Sequence, residues 1–135
     1  LGRYVSDRIF RAPVVSAVAA RAEGADRATD GAGTWAYRFT WRSPEYDAAV
    51  HCLDVPFLFD CLADQHVARL AGSTPPQALA DAVHAAVVAF VRGEEPEWPA
   101  ATGTRVTARI FDVPVSTRDD AYASARPLAA PPVAD

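Results

Sequence analysis

His51 is the residue of this chain whose type and setting best suit chemistry. It stands in Val50-His51-Cys52-Leu53-Asp54-Val55-Pro56-Phe57-Leu58-Phe59, a histidine beside an apolar run that follows a strand-like segment. An imidazole on a loop at a strand end can be aimed into a cleft while the scaffold behind it stays rigid, which is what a general base requires. His66 lies in a polar stretch and His84 on a helix flank, so solvated or structural roles are expected for both. A metal site built from these histidines with Cys52 or Asp54 lacks paired-ligand spacing such as Cys-x-x-Cys or His-x-x-x-His. No metal site is therefore expected.

The elements that must position His51 can be read from periodicity. From Ser6 or Asp7 to about Ala22, apolar residues including Ile9, Phe10, Val14, Ala17 and Val18 recur at helical spacing, with Asp7 placed to cap and Gly24 to end the helix. Pro13 predicts a delay or kink within it. Glu23 to Gly33 reads as a loop. Thr34 to Trp41 alternates as a strand, with Trp35, Tyr37, Phe39 and Trp41 on one side and Ala36, Arg38 and Thr40 on the other.

Ser43-Pro44 breaks that strand and opens the loop that delivers His51. Val55 to Leu62 is a short apolar run that periodicity leaves open between helix and strand, with Pro56 allowing a short helix to start, and a polar stretch follows to Thr74. The clearest helix comes next: Thr74 as cap, Pro75 in the first turn, Gln77 in the capping-box position, and Leu79, Ala82, Val83, Ala86, Val87 and Phe90 on one stripe. Arg92, Gly93 and Pro96 end it. Glu94 to Thr104 reads as a loop pinned by Trp98, Arg105 to Val113 as a second strand, and the tail from Pro114 as polar, then alanine- and proline-rich and disordered over residues 129–135.

Composition bounds the function. The chain has 135 residues and a mass of 14.4 kDa; half its residues are hydrophobic and 22% charged, which suits one globular domain. A net charge of −4, with scattered arginines, argues against a nucleic-acid partner. All 13 basic residues are arginine and asparagine is absent, a bias that a GC-rich genome explains better than selected chemistry. Cys52 and Cys61 are expected as reduced thiols. No run approaches the roughly 20 apolar residues of a membrane span, and no basic-then-apolar leader opens the sequence. A chain that starts at Leu1 and contains no methionine is expected to be a piece of something longer. Two strands bearing bulky apolar residues are marginal by themselves, so the inventory reads as the end of an α/β sheet, with four rings on one strand face needing cover.

Three stretches together resemble a known family. Ser6-Asp7-Arg8-Ile9-Phe10-Arg11-Ala12-Pro13, Trp35-Ala36-Tyr37-Arg38-Phe39-Thr40-Trp41-Arg42-Ser43-Pro44 and His51-Cys52-Leu53-Asp54-Val55-Pro56-Phe57-Leu58-Phe59 resemble the C-terminal quarter of type B carboxylesterases, the para-nitrobenzyl esterase and cholinesterase-like branch of the α/β-hydrolase fold. Phe90-Val91-Arg92-Gly93-Glu94-Glu95-Pro96 with Trp98-Pro99 looks like that family's helix end and Trp-Pro turn, and Ile110-Phe111-Asp112 like its last strand. The likeness runs from about Ser6 to Leu128. It implies an α/β-hydrolase portion over residues 1–128, of about two strands and three helices, incomplete as a stand-alone fold.

The resemblance also implies serine-hydrolase chemistry on a small-molecule ester, with His51 matching the catalytic base. Triad residues in this fold come in the order Ser, acid, His, so a C-terminal portion would hold the histidine alone and be inactive until upstream sequence or a partner chain completed it. The chain agrees: Ser6, Ser16, Ser43, Ser73, Ser116 and Ser124 all lack the glycine flanks of a nucleophile elbow, and no glycine-rich oxyanion segment is present. Asp54 reads as a helix-start charge or solvent contact rather than the orienting acid. Phe57 and Phe59 fit an acyl pocket or the core, with the core expected. Where relatives commonly carry a small residue after the histidine, this chain has Cys52. The alternative reading is a non-catalytic remnant or α+β interaction module that docks through the aromatic strand face.

Overall fold

The computed structural model describes residues 2–25 and 33–129. The chain divides into two compact units, one of Leu1–Ala36, Trp98–Ala108 and Thr117–Asp135, the other of Tyr37–Glu97 and Arg109–Ser116.

The first unit opens on helix α1 (Gly2–Ser6), a π-helical turn (Asp7–Arg11) and helix α2 (Ala12–Ala25). The backbone stays helical throughout, and the N–H of Ala12 donates to the carbonyl of Asp7 five residues back. Pro13 supplies the reason: its ring crowds the carbonyl four residues earlier and it offers no N–H, and one wide turn just upstream absorbs the mismatch. The helix thus begins at Gly2 rather than at the predicted Ser6 or Asp7. Asp7, expected as a cap, is inside the helix and buried, accepting a 2.7 Å bond from Arg11 Nη1 one turn on. Gly24 does not end the helix, and the expected loop lies outside the described residues from 26 to 32.

Ala12, Val15, Val18 and Ala19 form the buried stripe of α2. The same unit buries Ala101, Val106, Ala121, Tyr122 and Ala125, and α2 packs on a 3-10 turn (Arg126–Leu128). The tail is exposed at Ser116–Arg118, its polar start, and then turns inward. Tyr122 and Ala125 carry apolar surface in a stretch whose alanine richness hides its periodicity. Of the tail expected to be disordered, residues 130–135 lie outside the described residues. Trp98 does anchor its loop, donating from Nε1 to the carbonyl of Ala36 at 2.9 Å.

The second unit carries most of β1 (Ala36–Phe39) and β2 (Ala108–Phe111), with α3 (Val55–Leu58), α4 (Ala68–Ala71) and α5 (Gln77–Val91). With β3 (Ser116–Arg118) the strands form a three-stranded sheet in the order β1-β2-β3, one strand more than the sequence suggests. The architecture is a partial α/β fold. Leu53, Phe57, Ala71, Leu79, Ala80, Val83 and Phe111 make its core.

The aromatic side of the β1 segment is spent on that core. Phe39 and Trp41 hold their rings 5.0 and 5.2 Å from Phe57, and Tyr37 meets Phe111 edge-on at 5.6 Å. Phe39 and Trp41 are partly buried by these contacts, and Tyr37 is 38% exposed. Phe57 is core as expected, whereas Phe59 is 68% exposed.

Helix α5 starts two residues beyond the predicted first turn. Pro75 precedes Pro76, whose ψ of 108° is extended, so the proline pair holds the entry straight and no side chain caps it. Gln77 does not close a capping box; its Nε2 donates to Asp60 Oδ1 at 2.6 Å and Asp81 Oδ1 at 2.9 Å. The apolar stripe narrows toward the C-terminal end, where Phe90 is exposed. Helix α4 was hidden in an apparently polar stretch. It stops at Gly72, where φ is +79° and a Cβ would sit 2.6 Å from the Pro44 ring, so only glycine fits.

Candidate functional site

The chain reaches His51 through a loop closed at its base. Ser43 is fully buried, donating from Oγ to the Leu70 carbonyl at 2.6 Å and accepting from the Glu45 N–H at 3.1 Å. Its N–H pairs with the Ala48 carbonyl at 3.1 Å. The residue that sequence reading took as a strand breaker is also a strut.

His51 to Asp54 then form a turn, with the Leu53 N–H donating to the Val50 carbonyl and the Val55 N–H to the Cys52 carbonyl, both at 3.2 Å. Cys52 takes the left-handed conformation, φ +63°, which reverses the chain just after the histidine. Helix α3 follows at once, with Pro56 in its first turn and the Leu58 N–H bonded to the Asp54 carbonyl at 2.9 Å.

Leu53 and Phe57, one helical spacing apart, are both fully buried and pin this turn to the core. His51 and Cys52 sit on its exposed side. The imidazole is thus presented to solvent by backbone that two apolar plugs hold still, the geometry a proton-transfer group needs.

Asp54 is in helical conformation and does not cap α3. Its Oδ2 instead accepts a 3.0 Å hydrogen bond from the Tyr37 hydroxyl on β1. That contact was missed by reading the strand's rings as packing alone; the one hydroxyl in the Tyr37, Phe39, Trp41 series was the available signal. His84 meets the expectation of a structural role. Its Nδ1 lies 2.9 Å from the Leu58 carbonyl, and because a carbonyl only accepts, the ring carries its proton on Nδ1 there, tying α5 to α3. His66 is exposed, with its backbone N–H on Asp64 Oδ1 at 2.8 Å.

Cys52 and Cys61 are not bonded to each other, and both are exposed. Among the described residues no group of three or more His, Cys, Asp or Glu side chains could hold a metal ion, and no helix is long and apolar enough to cross a membrane. The structure therefore brings His51, Cys52, Asp54 and Tyr37 around one turn. The elbow serine and glycine-rich segment of an acyl-transfer site are not in the sequence.

No protein-family model matches the chain. Solved structures do. A PNB esterase matches over 96% of this chain with a TM-score of 0.76 at 25% identity. A thermophilic PNB esterase matches over 93% with a TM-score of 0.75 at 26% identity. A carboxylesterase of Geobacillus stearothermophilus is 33% identical over 74% of this chain, with a TM-score of 0.58. The chain spans between 22% and 27% of the length of these three proteins.

Proposed function

We propose that this chain, a C-terminal segment of a type B carboxylesterase with the α/β-hydrolase fold, supplies the general base of a carboxylic ester hydrolase through His51. The observation that carries the reading is the presentation of His51: an exposed imidazole on a turn whose Leu53 and Phe57 are fully buried. In the reaction a serine oxygen attacks the ester carbonyl while His51 takes its proton. The same ring then returns that proton to the departing alcohol oxygen, and water repeats the cycle on the acyl-enzyme. The serine, the acid that orients the imidazole and the amides that hold the oxyanion belong to sequence or a chain beyond this segment. The substrate is a small-molecule ester, and His51 needs no metal or organic cofactor for its part.

The test is His51→Ala in the protein that carries this segment, with hydrolysis of para-nitrophenyl acetate as readout. Loss of a triad member should lower kcat by about four to six orders of magnitude with little change in folding. Turnover within tenfold of the unaltered protein would overturn the assignment.

A further inference from the structure

The geometry points to Tyr37 and Asp54 as a positioning pair that fixes the turn bearing His51, an inference that rests on His51 being the base. Asp54 is the last residue of the four-residue turn that His51 begins. Between them the turn has one apolar anchor, Leu53, and one residue in the left-handed region, Cys52. Leu53 fixes depth: buried on all sides, it sets how far the turn sinks into the core. Phe57 holds the start of α3 behind the turn, and His51 lies two residues before Leu53, at the end of the turn away from both plugs.

The 3.0 Å bond from Tyr37 Oη to Asp54 Oδ2 supplies a second fixed point on the far side of Leu53 from His51. Tyr37 is itself immobilised. It belongs to β1, and its ring lies edge-on against Phe111 at 5.6 Å and 64°. The carbonyl of Phe111 in turn accepts the N–H groups of Thr40 at 2.9 Å and Trp41 at 3.3 Å. Strand, ring, hydroxyl and carboxylate thus form one line from the sheet to the histidine turn. Both side chains act through the backbone that carries the base.

The experiment uses the complete hydrolase and the variants Tyr37→Phe, Asp54→Asn and the two together, with His51→Ala alongside. A Tyr to Phe change keeps the ring on Phe111 and deletes only the hydroxyl. Each single variant should lower kcat for para-nitrophenyl acetate about tenfold, equivalent to about 1.4 kcal/mol, while KM stays within twofold. The double variant should be no slower than the slower single one, because each change breaks the same bond. Hydrogen exchange at the Leu53 and Val55 amides, which close the turn, should quicken in all three. Unchanged kcat in both single variants, beside a disabled His51→Ala, would overturn the pair while leaving His51 as base. Normal turnover in His51→Ala would overturn both readings at once.

Discussion

Phe57 and Phe59 look alike in the sequence, two rings in one apolar run, and the structure parts them: Phe57 is 0% exposed and Phe59 68% exposed. Truncating each to alanine therefore separates the two environments. Full burial of a phenylalanine side chain is worth about 1.5–3 kcal/mol. Phe59 keeps roughly a third of that cover, so Phe59→Ala should cost about 0.5–1 kcal/mol. Phe57→Ala loses the whole transfer energy and leaves a cavity, which together cost about 3–5 kcal/mol in well-packed cores. Its two ring contacts, to Phe39 at 5.0 Å and Trp41 at 5.2 Å, place it at the upper end, since each such pair adds about 0.5–1.5 kcal/mol. The assay is urea unfolding of the protein that carries this segment, followed by circular dichroism, comparing midpoints at constant slope. Equal losses at the two positions, or a larger loss at Phe59, would refute the packing described for this unit.

Cys52 at φ +63° carries backbone strain that glycine would not feel. Against about 1–2 kcal/mol of relief stands about 0.5–1 kcal/mol for glycine's greater unfolded freedom. Cys52→Gly should raise stability by up to about 1.5 kcal/mol, seen as a higher urea midpoint, and Cys52→Val should lower it. In the first unit, burial would raise the Asp7 carboxyl, but hydrogen bonds from Arg11 and Ser124 and the charges of Arg11 and Arg3 prevail and hold it below its ordinary 3.8. A lowered folded value means stability that is present above the ordinary value and lost as pH falls through the folded one. Asp7→Asn should thus be less stable than the parent at pH 7, with the gap closing on acidification below about pH 4. A gap that stays constant or widens in thermal melts would contradict the half-buried Asp7–Arg11 ion pair.

The parts legible in the sequence are those whose signal is local. Helix α5 was legible from its stripe, α3 from Pro56, the cores of β1 and β2 from alternation, and Trp98 as an anchor from its isolation in a polar loop. What escaped depends on partners far along the chain. The capping box at Gln77 fails because Pro76 holds the entry extended, and because Asp60, 17 residues upstream, takes one of the amide's bonds. Strand β3 is three exposed residues whose only merit is a neighbour, β2. His51 stood out because it stands beside an apolar run just after a strand-like segment. The Tyr37 to Asp54 bond spans 17 positions and no spacing rule announces it.

The wide turn at Asp7–Arg11 has a consequence for how this chain tolerates change in length. One residue more than an α-helical turn requires is stored there, and each helical residue advances the azimuth by about 100°. A one-residue deletion between Asp7 and Arg11 could be absorbed by reversion to ordinary α-helix, leaving Ala12, Val15, Val18 and Ala19 seated. Everything before the turn would keep nearly its phase, because the wide turn carries its extra residue through about the rotation that an ordinary α-helical turn makes without it, so Tyr4 and Val5 would stay exposed. The π turn thus works as a length buffer between two helical segments, where losing one residue would spare both the surface before it and the core after it.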